Sequence, residues 1–276
     1  MPPRPSSRVW SGLAFALTAS VAAAAHPRAA QANGHPFVFA QEGRTAADVH
    51  VEGMYALNVG SSATGAVRFV DPGIAGAGVV QQLGAQLSLA PWVALGAFGL
   101  VELGGASGEN VRATGGGYVS FTLLRPRTTE GDEASDGFSL GVQVWANREL
   151  EGALAVSTWL NAAYDAHPFS VAGNLQLEKR FASLADPVDV ILRLGASVEV
   201  AHSGQDQLRL GVEYVGQDLE DLVEDEEAEG GAVHLIAPAA TAVLAESRLT
   251  LGIAPGVVAS AQGVGFGGRL MLTYGF

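Results

Sequence analysis

Residues 188–200 read VDVILRLGASVEV, and their alternation decides the fold. Val188, Val190, Leu192, Leu194, Ala196, Val198 and Val200 form one row, while Asp189, Ile191, Arg193, Gly195, Ser197 and Glu199 form the other. Successive side chains of a strand point to opposite faces, so this period of two is a strand with one wholly apolar face. The turn residues Ser203, Gly204, Gln205 and Asp206 follow, after which Leu208, Leu210, Val212 and Tyr214 alternate against Arg209, Gly211, Glu213 and Val215. The two runs read as a hairpin.

The same pattern recurs along the chain. Apolar rows fall at Val49, Val51, Tyr55, Leu57; Leu83, Ala85, Leu87, Leu89; Val93, Leu95, Ala97; Val119, Phe121, Leu123; Phe138, Leu140, Val142, Val144; Leu154, Val156, Leu160; and Phe169, Val171, Leu175, Leu177. With a hairpin around Glu246-Ser247 and a last strand at the C-terminus, about twelve strands are expected, each long enough to cross a bilayer when tilted. The composition agrees: 48% of residues are hydrophobic, yet beyond residue 32 no uninterrupted apolar stretch approaches the length of a membrane helix. Dispersed apolar residues suit strands that give lipid every second side chain. Thirty-six glycines and the lack of sustained 3.6-residue periodicity argue against a helical fold.

Residues 1–32 read as a secretory signal peptide. They carry no acid, place Arg4 and Arg8 ahead of the apolar run 13–25, and end in small residues. That run is too short to span a bilayer as a helix, which needs roughly 20 residues. Cleavage is expected after Ala32 rather than at the earlier pair Ala23 and Ala25, because Pro27 would end the helical core before the cutting site. The chain from Asn33 then holds 12 basic and 28 acidic residues, a formal charge of −16, which disfavours nucleic acid as a partner. The absence of cysteine removes disulfides, cysteine zinc sites and a lipidated cysteine.

The chain ends GGRLMLTYGF at 267–276, placing Leu270, Leu272, Tyr274 and the terminal Phe276 on one face. This ending resembles that of bacterial outer-membrane β-barrel proteins. The resemblance implies an all-β, antiparallel transmembrane β-barrel in the outer membrane, surrounded by outer-membrane lipid and lipopolysaccharide. It also implies that these four residues are the signal read by the barrel-assembly machinery. Tyr274 and Phe276 would sit in the aromatic girdle at the periplasmic interface. The resulting division is a signal peptide at 1–32, an N-terminal periplasmic segment at 33–45 and the barrel at 46–276.

Because periplasmic turns are short and external loops longer, tight connections at Ala90-Pro91, 166–168, 203–206 and Glu246-Ser247 mark the periplasmic end. The long stretches 61–73 and 218–231 mark the outer end. The charged stretch 125–136 falls on the periplasmic side and is long for that place. If Glu246-Ser247 is a two-residue turn, Pro238 and Pro255 lie directly opposite each other. Two prolines side by side predict strands that finish there, a bulge, or a split between strands that could open laterally for an apolar ligand.

The inward face is where transport or catalysis would show. Its candidates are Glu52, Glu102, Arg112, Trp145, Trp159, Glu178, Arg180, Arg193, Glu199, Arg209, Glu213 and Arg269. Acids and arginines are balanced, so they either cross-pair to fill a closed lumen or line a narrow pore. Trp145 and Trp159 either plug space or form a stacking platform.

No catalytic set emerges from the chain. His234 faces lipid while Ser260 faces the lumen, so they cannot form a Ser-His pair. His50 and Glu52 share a face without further ligands to complete a metal site. The acidic run 218–231 lacks the spacing of an EF-hand loop; it reads as a solvated external loop, with weak divalent cation binding as the alternative. No enzyme activity, metal or cofactor is expected. The function expected is a passive pore or transporter-like channel for small solutes; the alternative is a closed structural barrel.

Overall fold

The computed structural model describes residues 37–41, 49–60, 78–103, 111–125, 137–148, 154–181, 188–204, 206–217, 219, 232–245, 247–260 and 263–276, without the side chains of 111 and 112. The expected signal peptide, the loop 61–73 and, apart from Leu219, the acidic run 218–231 lie outside these residues.

Alternation along each segment produces twelve strands among the described residues: β1 (His50–Gly60), β2 (Gly78–Ala90), β3 (Val93–Leu103), β4 (Val111–Leu124), β5 (Gly137–Arg148), β6 (Leu154–Ala166), β7 (Phe169–Phe181), β8 (Val188–Ser203), β9 (Asp206–Gln217), β10 (Val233–Leu244), β11 (Leu249–Ser260) and β12 (Gly263–Gly275). Each pairs antiparallel with its sequence neighbours, and β1 pairs with β12 to close a transmembrane barrel. Closure removes the unpaired edges that a bilayer could not satisfy. The carbonyl of Val51 accepts the amide of Phe276 at 2.9 Å, so the last residue helps to seal that final pairing. β4 pairs directly with β5, and residues 126–136 of the charged connection between them lie outside the described residues.

The two faces are inverted relative to a soluble domain. Leu83 is 62% exposed, Phe169 61% and Ile236 58%, while the inward Arg193 and Glu213 are each 1% exposed. Such an apolar outer band with a polar interior is the arrangement a bilayer selects. Every outward row expected from the sequence faces out. Trp92, Phe121, Phe138, Tyr164, Phe169, Tyr274 and Phe276 gather at the end bearing the short turns, forming an aromatic girdle. In it Tyr274 and Phe276 meet edge to face at 4.9 Å. One-residue register shifts at Ser88/Ala90, Thr122/Leu124 and Glu199/Ala201 lie at the same end, where bulges let strands bend into turns. Gly204, at φ +63°, supplies the left-handed turn residue between β8 and β9.

Pro238 and Pro255 sit mid-strand, and β10 and β11 continue past them to Val233 and Ser260. The strands therefore do not finish early. Instead the ladder between them is interrupted, because the pairs between Ile236↔Val257 and Ala240↔Ile253 are missing.

Candidate functional site

The lumen is filled from two sources, the first being a row of small residues and what sits on it. Register aligns Ala163 with Ala172, Ala172 with Gly195 and Gly195 with Glu213, so three adjacent inward positions on β6, β7 and β8 carry almost no side chain beside one carboxylate. Phe37 occupies the resulting niche together with Ala40, packed against Ala163 and Ala172. A Cβ on Gly195 would lie 2.6 Å from Phe37 Cδ1, so only glycine leaves room for the ring.

Residues 37–41 thus lie inside the barrel, which corrects for these five residues the expectation of a periplasmic segment over 33–45; the rest of that stretch lies outside the described residues. Phe37, Val38 and Phe39 are each 2% exposed. Glu213 Oε1 accepts the amide of Val38 at 2.6 Å, and Oε2 accepts those of Phe39 at 2.7 Å and Ala40 at 2.9 Å. Asn174 adds a reciprocal pair with the Gln41 backbone, accepting from its N–H at 2.8 Å and donating to its carbonyl at 2.7 Å. A segment without secondary structure can be buried only if its backbone is satisfied this way. Val38 and Phe39 join an apolar cluster with Leu235, Ala237, Ala254, Val258 and Met271.

The second source is a tier of aromatic side chains. Tyr118 stacks on Trp145 with centroids 4.1 Å apart, Phe98 approaches Trp145 at 5.1 Å, and Trp145 meets Trp159 at 6.0 Å. The Arg193 guanidinium lies 4.2 Å from the Trp159 ring centroid, a cation–π contact. The indole N–H groups donate to Gln143 Oε1 at 3.0 Å and to Ser157 Oγ at 3.2 Å. Both tryptophans are buried, so in this state they pack the lumen and offer no open stacking platform.

The charged candidates form separate groups. Arg180 pairs with Asp189 and with Glu178 at 3.5 Å. Arg209 lies 3.6 Å from Glu199 and donates to Ser170 Oγ at 2.7 Å and to the Pro168 carbonyl at 3.1 Å. Glu199 also faces the largely exposed His202 at 3.3 Å and His167 at 3.8 Å near the short-turn rim. Glu102 is buried, with Arg112 its ladder partner. Glu52 is half-buried near the C-terminal closure, and Arg269 stands 5.8 Å from the Phe39 ring. Among the described residues no group of three His, Cys, Asp or Glu side chains is placed to hold a metal ion. On the outer wall the Tyr214 hydroxyl and His234 Nδ1 are 2.9 Å apart.

Residues 37–41 and Tyr118 complete this site beyond the expected candidates. The one sequence signal for the segment was its composition: Phe37-Val38-Phe39 is an apolar triplet in a stretch otherwise polar or small.

No protein-family model matches the chain, and no curated protein does. Among solved structures it is similar in fold to the NanC porin, with a TM-score of 0.47 and 8% identity over 82% of this chain and 99% of that one. The β domain of the Bordetella autotransporter BrkA gives 0.46 and 12%, over 83% and 100% of the two chains. The translocator domain of autotransporter NalP from Neisseria meningitidis gives 0.42 and 12%, over 96% and 95%.

Proposed function

We propose that the chain is a bacterial outer-membrane channel for small solutes, held shut by its own residues 37–41. One observation carries the reading: a single lumen carboxylate, Glu213, takes three consecutive backbone N–H groups of a segment that belongs to no strand. Covalent continuity of the wall does not require that segment inside. Removing it would vacate the small-residue row and expose Glu213, Asn174 and Arg269 to water as lining for a path. Export by a cleaved signal peptide, insertion by the barrel-assembly machinery through Leu270, Leu272, Tyr274 and Phe276, and residence among outer-membrane lipid and lipopolysaccharide belong to the same reading. So does a passive rather than catalytic role.

A second reading, a closed structural barrel, is favoured by the aromatic tier, which packs the lumen independently of the segment. Conductance in planar bilayers separates the two. The chain from Asn33 is compared with the Val38→Asp/Phe39→Asp variant, whose added charges meet an apolar niche and Glu213. A mostly silent parent and a steadily conducting variant, with ion selectivity altered by Arg193→Ala, would support the plugged channel. Silence from both, with protein shown to be folded, would establish the structural barrel. Equal ohmic conductance from both would show that the segment is no plug.

A further inference from the structure

The wall has one interrupted seam, between β10 and β11. Elsewhere among the described residues the ladders are broken only by one-residue shifts at the rim. Here three successive pairs are missing in mid-strand, centred on Pro238 opposite Pro255. In an antiparallel ladder alternate pairs exchange two N–H···O bonds. With proline at both members of such a pair both donors vanish, and each flanking pair loses one of the bonds that define it. The two proline carbonyls then have no cross-strand N–H, a costly condition inside a bilayer. The outer sides of both strands remain continuous: β10 pairs with β9 from Val233 to Val243, and β11 with β12 from Leu249 to Ser260. Any parting of the wall is therefore directed to the one line between them.

That line is apolar on both faces. Outside, Pro238 and Pro255 are exposed beside Ile236, Ile253 and Val257. Inside lie the small residues Ala237, Ala239, Ala254 and Gly256, and the buried cluster of Leu235, Val258 and Met271 that receives Val38 and Phe39. Neither strand carries a carboxylate, lysine or arginine. The seam is shut in this state, since a Cβ on Gly256 would meet the Ile236 carbonyl at 2.7 Å. Its inner side adjoins the plug's anchor, because Ala237 is the ladder partner of Glu213.

We propose that the β10–β11 seam is a lateral passage through which a small apolar molecule bearing hydrogen-bond donor groups moves between lumen and lipid. Its lumen station is the niche now held by Phe37, Val38 and Phe39. The occupant supplies the chemistry of the ligand: two phenyl rings and an isopropyl group against an apolar wall, with N–H donors on the Glu213 carboxylate. The inference rests on the plugged-channel reading, because the station is free only when the segment leaves.

The chain has no cysteine, so an introduced pair is unambiguous. Ala239→Cys/Ala254→Cys places one on each side of the missing pairing, on the inward face. The full barrel with this pair and Val38→Asp/Phe39→Asp is placed in liposomes whose lipid contains a diazirine-bearing phenylalkylamine. After illumination, labelled residues are mapped by mass spectrometry. Under reduction, label is expected on inward Leu235, Val258 and Met271; oxidation should abolish it there and reduction restore it. Pro238→Val/Pro255→Val, which returns both N–H donors, should suppress inward labelling in the same way without a staple. Inward labelling unchanged by staple and valine pair, or label confined to Ile236, Ile253 and Val257, would overturn the passage. Conductance of the same preparation separates the two ideas: a conducting barrel without inward label rejects only the passage, whereas a silent and unlabelled one rejects the plug as well.

Discussion

Glutamine at position 213 would test whether one carboxylate decides the state of the lumen. In the native geometry its two oxygens accept three N–H donors at 2.6, 2.7 and 2.9 Å. An amide of the same shape keeps one accepting oxygen, loses the charge, and turns its own N–H groups towards the remaining donors. Hydrogen bonds to a charged partner contribute roughly 1.5–3 kcal/mol each, against about 1 for neutral ones. With water taking over part of the loss, the substitution weakens retention of the segment by about 3 kcal/mol. The other terms nearly cancel. Burying Phe37, Val38 and Phe39 gains roughly 1.5–3 kcal/mol apiece, while ordering the backbone of residues 37–41 costs roughly 1–2 kcal/mol per residue. The carboxylate therefore decides the balance, and about 3 kcal/mol corresponds to a change of more than 100-fold in the bound-to-released ratio. Hydrogen exchange followed by mass spectrometry on the peptide containing 37–41 reads this ratio directly. Exchange there should accelerate by about that factor while the strand peptides keep their protection. Unchanged exchange in the segment, with the barrel intact, would refute the anchoring role of Glu213.

Gly195→Leu should release the same segment sterically, since its Cβ alone falls 2.6 Å from Phe37 Cδ1; faster exchange confined to 37–41 is the expected outcome, and none would mean the niche is misassigned. Trp145→Ala removes the ring that meets Tyr118, Phe98 and Trp159 and should lower stability by about 3–5 kcal/mol in urea unfolding from lipid, without raising conductance while the segment stays in place. Arg209→Ala leaves Glu199, Ser170 and the Pro168 carbonyl without its donors and should cost about 3 kcal/mol. Part of that loss should return in the double variant with Glu199→Gln, and a purely additive cycle would rule out the coupling. Deleting Phe276 should sharply reduce the fraction of chain assembled as a barrel in cells, while refolding in detergent micelles persists; equal loss in both would make the residue structural rather than a signal.

Parity was legible in the sequence because it is local. Each strand alternates by itself, so the inward position of Trp145, Arg193, Glu213 or Arg269 needed no knowledge of neighbours. Register is not local. It can be counted outward from a tight turn, and where the hairpin is regular the count succeeds: Leu244↔Leu249 leads without a slip to Pro238 opposite Pro255. Across β8 and β9 it fails, because the shift at Glu199/Ala201 moves every later pair by one. Counted from Ser203↔Asp206, Gly195 would face Tyr214 rather than its true partner Glu213. The small-residue niche beside Glu213 exists only in the true register, and the segment that fills it is held by contacts between positions more than 130 residues apart. No periodicity of residues 33–45 could report such contacts. For the same reason the balanced charges left the open and the filled lumen equally consistent with the sequence.

The segment and the seam are more than neighbours. Glu213 on β9 faces Ala237 on β10, and Ala237 and Ala254 share the cluster that buries Val38 and Phe39. The wall therefore lacks backbone pairs, and carries small inward side chains, where the segment leans on it. Three consecutive amides converge there on one carboxylate of the neighbouring β9, and they hold Val38 and Phe39 against residues of both β10 and β11. If the segment leaves, the inward Ala237 and Ala254 lose their packing, while the adjacent Pro238 and Pro255 already face outward. Over the missing pairs β10 and β11 then meet through prolines and small residues, with Leu235 reaching Gly256. In the proposed channel, release of the segment from Glu213 and weakening of the seam are thus coupled.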